Sequence, residues 1–214
     1  MTTQAVSPPV RWSAPDGVWT EPDLHLFPQD GHRYEIVDGC LHASPPPPEP
    51  HETIVRALVT ALRAAAPPGW WVCARLGIAM DSSNLVPDVT VLRPRSSGAV
   101  WSDPADVALV VEVETAATRR YDRVLKPTLY AEAGIKAFWR VEPGRDGPVL
   151  HTYALGAARY RAENSIEGAE PVKLDAPYPV RLAPATWLTS GDVAGASLQR
   201  PHHAVPALGH QPAQ

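Results

Sequence analysis

Lysine is almost missing from this chain. Of 19 basic residues only Lys126, Lys136 and Lys173 are lysines, and arginine supplies the rest. Where arginine is the habitual solvated cation, a lysine is mildly informative. Cysteine is scarce too: Cys40 and Cys73 form no CxxC and have no paired histidine spacing. That argues against a structural zinc site, and a reducing compartment would leave both thiols free. Long apolar runs are absent. The stretch from Val107 to Val111 is among the longest, whereas a bilayer span takes about 20 residues. Met1 to Pro15 lacks the charged start and apolar core of a signal peptide, so a cytoplasmic protein with no membrane association is expected. Net positive charge is also lacking. At -4 the chain is not built to coat nucleic acid by bulk electrostatics, although a local basic groove beside an acidic site remains open.

What is present suits a globular protein: 214 residues, 44% hydrophobic and 20% charged. One domain with tails is the expectation. Residues 1–20 carry Pro8, Pro9 and Pro15 without a sustained period and read as a flexible arm. Residues 21–196 form the domain. Residues 197–214, rich in Pro, His, Gln and Ala, read as a disordered tail in which His202 and His203 are a solvated pair.

Tyr34 to Leu41 reads as a hairpin, because Asp38-Gly39 between two apolar runs suits a primed turn. Pro45 to Pro48 is a stiff link. A helix is expected over roughly 50–65, with Ile54, Val55, Leu58, Val59 and Leu62 on one face and Pro67-Pro68-Gly69 as its stop. Strands are expected over 70–80 (broken at Gly77), 86–92 and 107–114, the last apolar enough to be central and buried. A helix over 122–133 ends at Gly134, a strand follows over 137–141, and a further hairpin covers 149–161. Strand, helix and strand with short links predict a crossover unit on a mixed α/β sheet flanked by helices.

Carboxylates interrupt that pattern where a bland core is apolar. Asp88 opens the run Val89 to Leu92, and Glu112 and Glu114 interrupt the end of the most apolar strand, on the face of Val110. A buried carboxylate is usually paired or bound to metal. Two on neighbouring strand ends suit a hard cation such as Mg²⁺, which takes oxygen ligands and keeps several waters. Asp122, Lys126 and Tyr130 share a helix face at i, i+4, i+8. A lysine beside such an ion can orient the attacking water and offset transition-state charge. Arg119, Arg120 and Arg123 suit phosphate contacts.

The order of these segments resembles the PD-(D/E)XK restriction-endonuclease-like superfamily. Within it the chain is similar to the bacterial restriction-endonuclease-like family called Uma-two. The resemblance rests on Tyr34-Glu35-Ile36-Val37-Asp38-Gly39; Ser44-Pro45 leading to His51; Val86-Pro87-Asp88-Val89; Val110-Val111-Glu112-Val113; Thr118 to Asp122 and on to Lys126; and Leu129-Tyr130-Ala131 through Phe138-Trp139. It implies a restriction-endonuclease-like core, with Asp88 and Glu112 as metal ligands and the Val113 carbonyl as a third. It also implies Lys126 as the motif lysine moved onto the following helix, Glu35 close by as a site residue that reaches the metal through water, and His51 at a family position of open role. Mg²⁺ is the implied cofactor, with Mn²⁺ as a substitute. Glu114, where the superfamily's usual lysine would stand, is open between an extra ligand, a partner for Lys126 and a partner for an arginine. Pro127 falls inside the expected helix and should kink it or move its start towards Lys126.

The expectation is therefore a metal-dependent endonuclease acting on nucleic acid, DNA before RNA, with a homodimer compatible. The rival is a catalytically inactive nuclease fold that binds nucleic acid or a protein.

Overall fold

The computed structural model describes residues 13–14, 16–94 and 101–188. The arm expected over 1–20 lies mostly outside these residues, and the tail expected over 197–214, with His202 and His203, lies wholly outside them. A one-turn helix, α1 (Glu21–Leu24), leads to the hairpin of β1 (Arg33–Val37) and β2 (Cys40–Ser44). Its turn is Asp38 and Gly39, at φ 47° and 72°, as the Asp-Gly pair predicts. Helix α2 (Glu49–Ala65) follows the prolines. Then come β3 (Trp71–Ala74), β4 (Ile78–Ala79), β5 (Asn84–Leu85), β6 (Val89–Leu92) and β7 (Val107–Val113). A π-helical turn, Tyr121–Leu125, runs into α3 (Lys126–Glu132). The chain continues with β8 (Ala137–Gly144), β9 (Gly147–Leu155), β10 (Tyr160–Ile166), β11 (Val172–Leu174) and β12 (Val180–Leu182).

Six strands form the main sheet in the order β10-β9-β8-β7-β6-β3, and within it only β7 and β8 pair in parallel, joined through α3. A second sheet, β2-β1-β5-β4, carries the hairpin, and β11 pairs with β12. This is the mixed sheet with flanking helices that the sequence predicts. Alternation along β7 explains its apolar run. Leu109, Val111 and Val113 pack towards Ile54, Val55, Leu58 and Leu62 of α2, while Val110 packs towards Leu129, Tyr130 and Phe138 on the other face. Each such aliphatic side chain stabilises by about 1.5–3 kcal/mol on burial. The helix contacts thus outweigh any single ion pair in holding β7 in place.

Several boundaries differ from expectation, β8 to β10 by running longer, and three differ for local reasons. The strand expected over 86–92 begins only at Val89, as β6, and β5 ends at Leu85 before it, because Pro87 between them has no N–H to give a ladder. The strand expected over 70–80 breaks at Arg75, which sits at φ 53°, and β4 resumes just after Gly77. Gly77 answers a different need: a Cβ there would run into the Trp101 ring. The helix expected over 122–133 begins earlier, at Tyr121, as a wide turn in which the Lys126 N–H donates to the Tyr121 carbonyl, five residues back. Pro127 then stands in the first turn of α3, directly after that wide turn, and the helix continues through it. Cys40 and Cys73 are both free. No helix among the described residues is long and apolar enough to cross a membrane.

Candidate active site

Asp88 stands at the mouth of β6, Glu112 near the end of β7, Glu35 on β1, and Asp122 and Lys126 on the helical segment beyond β7. Antiparallel pairing puts Val89 opposite Val111, which sets Asp88 beside the Glu112–Val113 end of β7. The hairpin brings Glu35 in from the second sheet. All four carboxylates are 1% exposed and Lys126 is 3% exposed, so they are core residues rather than surface ones.

Lys126 is the hub. Its Nζ lies 3.2 Å from Glu35 Oε1, 3.2 Å from Glu112 Oε1 and 3.8 Å from Asp122 Oδ1. Burial alone would lower its pKa, but Glu112, Glu35 and Asp122 raise it above the usual lysine range, so it stays charged. Glu35 Oε1 also accepts the Val86 N–H at 2.8 Å, pinning the strand break to the hairpin. Glu112 Oε1 accepts the Tyr130 hydroxyl at 2.6 Å. Asp88 has its own retinue. Oδ1 accepts from Arg33 Nη2 at 2.5 Å, while Oδ2 accepts the Val113 N–H at 2.7 Å and lies 3.2 Å from His51 Nε2. Burial pushes the Asp88 pKa up, but Arg33, His51 and the Val113 amide pull it well below the usual carboxylate range.

Negative charge is in surplus. Four buried carboxylates face two permanent cations, Lys126 and Arg33. Burial raises Glu112 far above its ordinary range, with Asp122, Asp88 and Glu35 adding to the push and Lys126 opposing it. Burial likewise raises Asp122 to about 6. One Asp122 oxygen, Oδ2, accepts from Thr118 Oγ1 at 2.5 Å, while Oδ1 is buried without a hydrogen bond. Surplus buried charge, an unbonded carboxylate oxygen and hard oxygen donors together fit a divalent cation. Among the described residues no three His, Cys, Asp or Glu side chains form a ready-made metal group. Mg²⁺ in particular is commonly held by one or two carboxylates, with waters completing its shell.

The other expected residues divide. His51 is 4% exposed and joins the cluster through Asp88. Glu114 does not face Lys126. It is held by Arg123, which donates from Nε and Nη2 at 2.6 and 2.9 Å, by Arg140, and by Arg119 at 3.4 Å. Of the three alternatives open for Glu114, the arginine partner is the one observed. Arg120 is exposed, away from that carboxylate. Arg33, Arg140 and the Tyr130 hydroxyl are contributors that the sequence reading passed over. The alternation of Arg33 with Glu35 on one strand face was the available signal for the first.

Comparison with known proteins agrees with this architecture. A solved structure described as a "putative nuclease belonging to DUF820 from Anabaena variabilis ATCC 29413" superposes with a TM-score of 0.51. It covers 72% of this chain and 88% of its own, at 16% identity, a likeness of fold. No curated protein matches. The family model Uma2, described as "Putative restriction endonuclease", matches residues 21–185, a span that includes every residue of the buried cluster. On that match, over most of its length, the chain belongs to the Uma2 family.

Proposed function

We propose that this protein hydrolyses phosphodiester bonds in DNA with the help of Mg²⁺. The observation that carries the reading is the Lys126 ammonium lodged 3.2 Å from both Glu35 and Glu112, within the same buried cluster as Asp88. Asp88, Glu112 and the Val113 carbonyl would hold the ion, which when bound would polarise the phosphate and make water a better nucleophile at neutral pH. Lys126 is held cationic by its carboxylate neighbours. It therefore serves as a fixed positive charge that orients water and offsets charge growing on the phosphate, rather than as a base. Glu35 and Asp122 position Lys126 from two sides. Tyr130 and Val113 fix the two ligand carboxylates through hydrogen bonds. The test is cleavage of supercoiled plasmid, linear duplex, single-stranded DNA and RNA with Mg²⁺, Mn²⁺ or EDTA. Metal-dependent cutting by the parent and none by Asp88→Ala is expected. Equal cutting by both would remove Asp88 from the site.

One observation favours the second reading, an inactive nuclease fold that binds without cutting. Both Asp88 oxygens are already engaged, by Arg33 on one side and by Val113 and His51 on the other. If Arg33 merely holds the place of an ion, Arg33→Met should raise divalent-cation affinity measured by calorimetry. If Asp88 is committed to structure, the same change should destabilise the fold and leave metal affinity unmoved.

A further inference from the structure

Beyond α3 from Lys126, a cleft of about 310 Å³ opens between that helix and the β9–β10 hairpin. Phe138, Tyr153 and Tyr160 line its sheet side. Phe138, itself 2% exposed, stacks on Tyr153 (ring centroids 5.5 Å apart, 28° between planes) and lies 5.4 Å from Tyr160, so it backs the two part-exposed tyrosine rings. Three arginines complete the lining, Arg123, Arg140 and Arg159, and among the described residues no acidic side chain lines it. Glu114, buried behind them, fixes Arg123 and Arg140 in place, and Glu142 pairs with the same two at 2.9 and 3.5 Å. Arg159 is exposed and has no ion-pair partner among the described residues. The cleft thus offers a preorganised aromatic face and one guanidinium, Arg159, beyond the two that Glu114 and Glu142 match. Arginine forks match phosphate oxygens, and aromatic faces stack on bases whatever the sequence. The volume falls at the small end of ligand pockets, of order 300–1,000 Å³, which suits one nucleotide and excludes a duplex.

Its position relates it to the buried carboxylates. Arg140 on β8 is the register partner of Glu112 on β7, and Pro127, on the cleft wall, follows Lys126 directly. We propose that the cleft holds one unpaired nucleotide of the substrate strand, with its base against the Tyr153 and Tyr160 rings and its phosphate on Arg159, beside the Arg123 guanidinium. The inference rests on the nuclease reading for the word substrate. It predicts a preference for single-stranded or frayed DNA, because a base inside a duplex cannot enter.

The test reads binding separately from cutting. Fluorescence anisotropy of the full chain in EDTA would compare a labelled single-stranded oligonucleotide with the duplex of the same sequence, and thymidine 5′-monophosphate with thymidine as competitors. Single-strand binding tighter than duplex binding is expected, with the monophosphate competing better than the nucleoside. Arg159→Glu and Thr128→Trp should each weaken single-strand binding at least tenfold. Both positions are exposed, and Thr128→Trp fills the cleft without changing charge, so general electrostatics would not explain its effect. Parent-like affinity in both variants would overturn the cleft assignment, and so would equal binding of single strand and duplex. Cutting with Mg²⁺, measured in parallel, separates the two ideas. A parent that cuts while neither variant alters binding loses the cleft and keeps the nuclease. A parent that never cuts, yet binds single strands through Arg159 and Thr128, keeps the cleft and loses the nuclease.

Discussion

Glu112 and Glu114 stand two residues apart at one end of β7, on the same face, each 1% exposed, yet their surroundings are opposite. Around Glu112, three other buried carboxylates crowd one lysine and one arginine, and burial drives its pKa up. Around Glu114, three arginines gather on one carboxylate, two of them by hydrogen bonds. The residue type is the same, but the balance of charge differs in sign. A carboxylate whose charge is fully matched by hydrogen-bonded guanidiniums is a structural tie. A cluster left with surplus negative charge in the core is unstable by itself and is suited to a cation that arrives from solution. The same strand end therefore sets a carboxylate cluster short of positive charge beside a carboxylate ringed by arginines.

The largest test of that contrast is on activity. Lys126→Ala should lower metal-dependent cleavage by about 10²–10³-fold, the range for losing one preorganised group that stabilises transition-state charge. Single-turnover cleavage rates of the folded variant measure it, and a rate within a fewfold of the parent would move Lys126 out of the reaction. The next is on stability. Glu114→Gln leaves Arg140 and Arg123 only the part-exposed Glu142 as counter-charge, at 3.5 and 2.9 Å, and breaking a buried pair from one side costs about 3–5 kcal/mol. Arg123 is partly exposed and can turn to water, so a loss near the lower end, about 3 kcal/mol, is expected from the urea midpoint at unchanged m-value. An unchanged midpoint would mean that Glu114 is not the tie described above.

Why one half of this contrast was legible in the sequence and the other was not follows from the range of the interactions. Asp88, Glu112 and Lys126 announce themselves locally: carboxylates set into apolar strands, and a rare lysine in phase with Asp122 and Tyr130. The Asp-Gly hairpin and the α2 stripe are likewise local patterns, and both are observed. Arg33 and Arg140 give no such sign. Arg33 reaches Asp88 only because the second sheet folds its hairpin over the mouth of β6, 55 residues away in sequence. Arg140 finds Glu114 across the parallel β7–β8 pairing, 26 residues away. The β11–β12 pair escaped for another reason: three-residue strands carry too little alternation to be read. Their contribution is tertiary, since Tyr178, just before β12, donates its hydroxyl to the Leu62 carbonyl near the end of α2 at 2.8 Å. Pro127 shows local chemistry deciding a detail. Its missing N–H does not break the helix, because the wide turn ahead of it delivers Lys126 as the first residue of α3.

The smallest effect sharpens the contrast most, because it separates surplus charge from lost packing. Asp122 has its pKa raised by burial to about 6, against an ordinary 3.8, and one oxygen without a hydrogen bond. A raised carboxylate binds its proton more tightly in the folded state than in the unfolded one. Its contribution to stability is therefore fully present below about pH 4 and is lost as pH rises to about 6, where the penalty levels off. Asp122→Asn removes that titration while keeping an oxygen that can accept from Thr118. Lys126 keeps Glu35 and Glu112 as partners. In EDTA the variant should match the parent near pH 4 and exceed it above pH 6 by about 1–3 kcal/mol, read from urea midpoints across the range. Adding Mg²⁺ at pH 8 should narrow the gap by stabilising the parent more than the variant, since a bound cation offsets the charge that the substitution removes. Parallel pH profiles in EDTA would show that Asp122 carries no uncompensated charge, and with it would go the claim that the Glu112 side of β7 is the unsatisfied one.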